Sequence, residues 1–322
     1  MVLYTFSGTG NSLAVARYIA ASFPEVRIVP IVAAVKDPLH HAPRGVTGII
    51  TPVHMNGVPK PVRRFLETVV LSGTEYLFAI ATHGGIPGNV GGAINRILAR
   101  RPSPSAVPPG MSNPHIPSRV PHPPDTPLPA GGSVRTNAPR LLDEFFSVEM
   151  VNNTPKGVAP RFLMRMDWAK TITADLVDTM VARVTSELDE IIPSIAARTT
   201  GFAEKYRSDR RTRGTLGARL LWRLSDGSNP KLPFFLDTDA CTRCGICSTL
   251  CPSSRIVFEP ERDPSAYPSW PLDRECYYCY GCFNFCPEQA IGVKHYTVKD
   301  GRYHYPGITP EDIAPPPDGS TR

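Results

Sequence analysis

The chain opens with "MVLYTFSGTGNSLAVARYIAASF" (1–23). A short apolar run, "VLYTF" (2–6), breaks into Ser-Gly-Thr-Gly-Asn-Ser at 7–12, and apolar residues then resume with helical spacing. The stretch reads as strand, tight loop and helix. The first run is too short for the apolar part of a secretion signal and has no basic residues ahead of it, so it is not a targeting segment. No Lys follows Gly10, which excludes a G-x-x-x-x-G-K-[ST] loop. Leu13 stands where a dinucleotide fingerprint needs its third Gly. The glycines alone suit an ordinary turn equally well, but the hydroxyls tilt the reading. Ser7, Thr9, Ser12 and the Asn11 amide can all donate to an anion. They do so where the next helix offers free N–H groups and its positive dipole end. The loop reads as a phosphate site without a cation.

The pattern continues outward. "VRIVPI" (26–31), "VTGIIT" (46–51) and "EYLFAIA" (75–81) read as buried strands, and 12–23, 59–71 and 88–101 as helices. Such alternation implies a parallel sheet with helices on both faces. "LLDEFFSVEM" (141–150) supplies a fifth strand. A long amphipathic segment follows, with Ile172, Leu176, Met180, Val184 and Leu188 spaced every four residues, and Pro193 is expected to kink or end it. Residues 102–140, dense in Pro, read as a mobile insertion, since they carry too little apolar surface to offset their ordering entropy. Residues 200–233 carry seven Lys and Arg against two acidic residues over "EKYRSDRRTRGTLGARLLWRL" and read as a basic linker.

If the strands run in the order 2-1-3-4-5, ligands belong beyond the carboxyl ends of strands one, three and four. The loops there are "SGTGNS" (7–12), "PVHMNGVP" (52–59) and "THGGIPG" (82–88). "FSGTGNS" resembles the phosphate loop of flavodoxins, and "THGGIPGN" resembles their flavin-ring loop. The resemblance covers residues 1 to about 197 and implies an α/β, flavodoxin-like, doubly wound five-stranded sheet in a domain spanning 1–199. It also implies FMN, its phosphate on Ser7, Thr9, Gly10, Asn11 and Ser12. The ring would lie between Pro52, His54, Met55, Asn56 and Gly57 on one side and Thr82, His83, Gly84 and Gly85 on the other. Gly57 is the candidate for a peptide that reorients toward the ring. Aromatic side chains, which sandwich the ring in many flavodoxins, are absent from both loops.

All eight cysteines lie between Cys241 and Cys286. "CTRCGICSTLCP" (241–252) and "CYYCYGCFNFCP" (276–287) both fit C-x2-C-x2-C-x3-C-P. A zinc ribbon leaves four of these thiols unused, and runs so tight do not suit four disulfides. The spacing lets three thiolates wrap one 4Fe–4S cubane while the fourth reaches the other. Cys241, Cys244, Cys247 and Cys286 are therefore assigned to cluster 1, and Cys276, Cys279, Cys282 and Cys251 to cluster 2. Gly245 and Gly281 are expected to let backbone approach sulfide. Residues 234 to about 296 are similar to bacterial two-cluster ferredoxins, a small α+β fold, in a domain spanning 234–308 with 309–322 as a tail. The whole arrangement resembles flavodoxin–ferredoxin fusion proteins.

The net charge of +6 on 322 residues does not call for nucleic acid, and no apolar stretch approaches the length of a membrane span. Cysteines confined to a cofactor site point to a reducing cytoplasm. The combination implies an oxidoreductase passing electrons between the clusters and FMN. A small-molecule substrate or a redox partner protein would meet it at the flavin. An electron carrier with no substrate of its own is the other reading.

Overall fold

The computed structural model describes residues 1–37, 40–54, 57–85, 87–101, 140–155, 172–208, 234–293 and 301–314. The expected insertion, most of the basic linker and two ring-loop residues, Met55 and Asn56, lie outside them.

Five strands, β1 (Val2–Thr5), β2 (Arg27–Pro30), β3 (Gly45–Pro52), β4 (Thr74–His83) and β5 (Glu144–Glu149), pair in parallel. Their order is β2-β1-β3-β4-β5, the order expected, so β1 and β3 are neighbours at the point where it reverses. Both faces are covered because successive side chains alternate across a strand. Tyr4, Ile49, Leu77 and Ala79 face one layer, where α3 (Lys60–Thr68) buries Phe65 and Leu66 and α4 (Val90–Ala99) buries Ile94 and Ile97. The short α2 (Ile31–Ala34) adds Ile31 and Ala34 to it. Leu3, Ile50, Phe78 and Ile80 face the other layer, met by Val15 and Ile19 of α1 (Asn11–Ala21) and by Val184, Leu188 and Ile195 of α5 (Ala174–Ala196). Each such side chain contributes about 1.5–3 kcal/mol by leaving water.

Two expectations about helices are refined. Pro193 does not end α5, which runs on to Ala196; so near the terminus, the missing proline N–H forfeits a single helical bond. The connector expected from residue 200 begins with α6 (Gly201–Ser208), which docks on β5. There the Ala203 N–H donates to Asp143 O, the Phe202 N–H donates to the Glu144 carboxylate, and the Phe202 ring lies 5.4 Å from that of Phe145.

The C-terminal part is small: an antiparallel pair, β6 (Phe234–Leu236) with β7 (Ile291–Val293), and two single-turn helices, α7 (Ile246–Thr249) and α8 (Gly281–Asn284). Residues 301–314 then return to the first half. They end in α9 (Pro310–Ile313), whose cap pairs Thr309 with Asp312 reciprocally. Ile308 and Ile313 pack with Leu13 of α1, and Asp312 forms an ion pair with Arg17. Among the described residues no helix is long and apolar enough to cross a membrane.

Candidate functional site

The two cysteine runs fold alike. An offset of 35 residues carries Cys241, Cys244, Cys247 and Cys251 onto Cys276, Cys279, Cys282 and Cys286, and carries α7 onto α8. Positive φ angles obey the same offset: Arg243 (58°) onto Tyr278 (54°), Gly245 (77°) onto Tyr280 (55°), and Ser254 (51°) onto Gln289 (50°). A side chain in that region costs about 1 kcal/mol or more, so five non-glycine residues hold it because both turns must wrap something. Gly281 is thus not the counterpart of Gly245. Tyr280 takes the left-handed position, and Gly281, inside α8, is small for another reason given below.

The runs exchange their fourth thiols. Cys241, Cys244, Cys247 and Cys286 line one cleft, floored by Ile246 and Ile291. Cys276, Cys279 and Cys282 gather with Cys251, and the Tyr278 and Arg255 N–H groups donate to the sulfurs of Cys276 (3.4 Å) and Cys251 (3.3 Å). Burial pushes the Cys247 thiol up to about 12, with the neighbouring Cys244 and Cys286 adding to it. Burial likewise raises Cys279 to about 12 and holds Cys282 well above its ordinary value. Such thiols become thiolates only against nearby positive charge, which bound iron supplies. All eight cysteines are free. Among the described residues no three Cys, His, Asp or Glu side chains converge as one metal ion requires, whereas thiols spread around a space suit a multi-iron cluster.

Residues 233–291 match the 4Fe-4S dicluster domain family. The region that carries the eight cysteines is therefore a small ferredoxin-type domain that binds 4Fe–4S, the chemistry of electron transfer. Over 70 residues the chain is also 30% identical to the adenylylsulfate reductase subunit beta of Megalodesulfovibrio gigas, an alignment covering 20% of this chain and 40% of that one. The chain thus spans less than half the length of that relative. No solved structure matches.

The ferredoxin-type half is pressed against the loop at 7–12. A Cβ on Gly8 would stand 2.3 Å from Cys279 O, and one on Gly281 would stand 2.8 Å from Gly8 O. This explains both glycines: two backbones touch, and no side chain fits between. Gly10, with φ 99°, is the N-cap of α1; a Cβ there would meet Tyr305 and Ile308 at 2.9 Å. Polar contacts seal the junction. The Tyr305 N–H donates to Thr9 O (2.7 Å), and Tyr303 Oη donates to Asn11 Oδ1 (2.8 Å). Asn284 Nδ2 donates to Asn153 O, and Asn153 Nδ2 donates to Thr9 Oγ1 (2.7 Å). Ser12 Oγ pairs with Thr82 Oγ1 at 2.9 Å, and Ser7 Oγ accepts from the Gly10 N–H. The loop is buried, with Thr9 at 1% and Ser12 at 0% exposure. Yet α1 has no side-chain cap, and the N–H groups of Asn11, Ser12 and Leu13 have no partner among the described residues. A buried, uncapped helix start with free N–H groups suits an anion. The fit to a phosphate therefore rests on these N–H groups and on the Thr9 and Ser7 hydroxyl protons; Ser12 is turned to Thr82.

The ring loops lie at the same sheet edge. Pro52 and Thr82 end β3 and β4, paired in register. His54 closes a tight turn with Gly57, each N–H donating to the other's carbonyl at 3.1 and 2.8 Å, so the Gly57 peptide is tied in both directions. His54 Nδ1 donates to Tyr277 O at 3.0 Å and its ring meets Phe6 edge-on, a contact with the cysteine run that the sequence does not signal. A Cβ on Gly84 would strike Asn152, Gly85 has φ 103°, and His83 Nδ1 is buried without a partner among the described residues.

Burial lowers the His54 pKa to about 4, against the partial compensation of the Tyr277 carbonyl. A depressed histidine stabilises the fold fully above its unfolded value near 6.5, and loses that contribution as pH falls toward 4. Lowering pH from 7 to 5 should therefore cost about 2 kcal/mol through this residue. Denaturant unfolding at both pH values should show the parent losing that much more than His54→Gln; equal losses would mean His54 is not held neutral at the junction.

Proposed function

We propose that the chain is an oxidoreductase of the flavodoxin–ferredoxin fusion type, joining FMN in the first half to two 4Fe–4S clusters in the second. One observation carries this reading: the backbone of Cys279 rests on Gly8 of the loop that suits a phosphate. Cys241, Cys244, Cys247 and Cys286 would hold one cluster, and Cys251, Cys276, Cys279 and Cys282 the other. The α1 N–H groups, Thr9 and Ser7 would hold the phosphate, with Pro52–Gly57 and Thr82–Gly85 beside the ring. FMN exchanges one or two electrons and each cluster one, so together they interconvert paired and single electrons. The residues of this chain fix the two sites against one another. Asn284 and Tyr303 orient the loop, Tyr305 and Ile308 exclude water from it, and Gly8 with Gly281 sets the closest approach.

Counting tests it. Anaerobically purified protein should hold one FMN and about eight irons per chain. Thr9→Val removes one donor of nearly equal volume and should weaken FMN about tenfold, ~1.4 kcal/mol, with riboflavin unaffected. A protein that binds both flavins alike, before and after the change, has no phosphate site at this loop. Failure of reduced FMN to pass electrons to any small molecule would favour a carrier between proteins.

A further inference from the structure

Arg255 is 3% exposed, and among the described residues no carboxylate lies within ion-pair distance of it. Its Nε donates to Pro271 O at 3.2 Å, its backbone N–H donates to Cys251 Sγ at 3.3 Å, and its positive charge opposes the rise that burial gives the Cys276 thiol. A buried cation without a counter-charge costs several kcal/mol, so a fold keeps one only where an anion answers it. Among the described residues the sulfurs beside it are those of Cys251, on its backbone N–H, and of Cys276, and both become anionic as ligands of a cluster. At the other cysteine group the 35-residue offset places Ala290 where Arg255 stands.

The two groups also differ in setting. Cys244 is exposed to solvent, whereas Cys279 lies against Gly8 at the junction between the halves. Water can stabilise added negative charge at the outer group. At the inner one, burial penalises it, and each electron that arrives adds one negative unit with no bond made or broken.

We propose that Arg255 is the counter-ion of the inner cluster, holding its reduction potential high enough to accept electrons from the outer cluster at Cys244 and present them at Gly8. The proposal rests on the two-cluster reading. It assigns Arg255 a tuning role, not a ligand's, and makes the outer cluster the end that faces a redox partner.

The test is an anaerobic redox titration of the full chain, followed by electron paramagnetic resonance with iron counts. Arg255→Gln should lower one of two potentials and leave the other in place, with about eight irons retained. Arg255→Lys should restore most of the shift. Adding Cys244→Ala, which removes the outer cluster, should leave a single potential, still lowered by Arg255→Gln. Unchanged potentials in Arg255→Gln overturn the proposal, as do two potentials that move together. Iron lost in Arg255→Gln and not regained in Arg255→Lys overturns it too, since packing rather than charge would then be the role. A parent with only four irons would instead refute the two-cluster reading, and one with eight irons but no FMN would refute the flavin alone.

Discussion

Cys286→Ala should strip the cluster framed by Cys241, Cys244 and Cys247, although Cys286 belongs to the other sequence run. The four thiols share one cleft, and three of them cannot close a cubane that four hold. Iron should fall from about eight to about four per chain. Cys251→Ala should also lose four irons, but from the inner group. The two variants are separable because Cys244 is exposed and Cys279 is not: in Cys251→Ala the remaining iron should be the fraction a chelator removes quickly. If Cys286→Ala instead empties the inner group, the runs do not exchange their fourth thiols. FMN should remain bound in both variants, since no cysteine lies in the first half.

Gly8→Val should part the two halves. Its Cβ would stand 2.3 Å from Cys279 O and 2.6 Å from Cys279 Cβ, and backbone cannot swing aside as a side-chain tip would. Overpacking of this kind costs about 3 kcal/mol. Denaturant unfolding should show that loss, and amide exchange should speed up across α8 and 301–308, whose contacts with the loop would open. A variant as stable and as protected as the parent would mean that the two backbones do not meet.

The sheet was legible because its signals are local. Runs such as "VLYTF" and "EYLFAIA" are apolar on both faces, which only a strand covered on both sides tolerates, and their alternation with helices fixes parallel pairing. The iron–sulfur character of the two cysteine runs was legible because their C-x2-C-x2-C-x3-C-P spacing suits 4Fe–4S ligation. Local rules misled at Pro193, where position within the helix decides the cost, and at Gly281, where a neighbour from the other half decides the residue. Arg255, Tyr303, Asn153 and the His54–Tyr277 bond were not legible. Each takes its role from a partner far along the chain or from the register between the two runs, and residue type reveals neither. Asn11 offered a signal, an amide in a loop of hydroxyls, but nothing announced that a tyrosine would meet it.

The return of residues 301–314 over the first loop has a consequence for the order of events during synthesis. Tyr303 and Asn11 bond across 292 positions of chain. The sheet's first strand, loop and helix leave the ribosome well before residues 301–314, and domains fold in the order they emerge. The loop's cover arrives 292 residues later. Until then the start of α1 is open to water and to any small anion, and afterwards Tyr305 and Ile308 lie across it. Loading is thus freest before residues 301–314 have emerged, and their docking is what locks in whatever the loop has taken up.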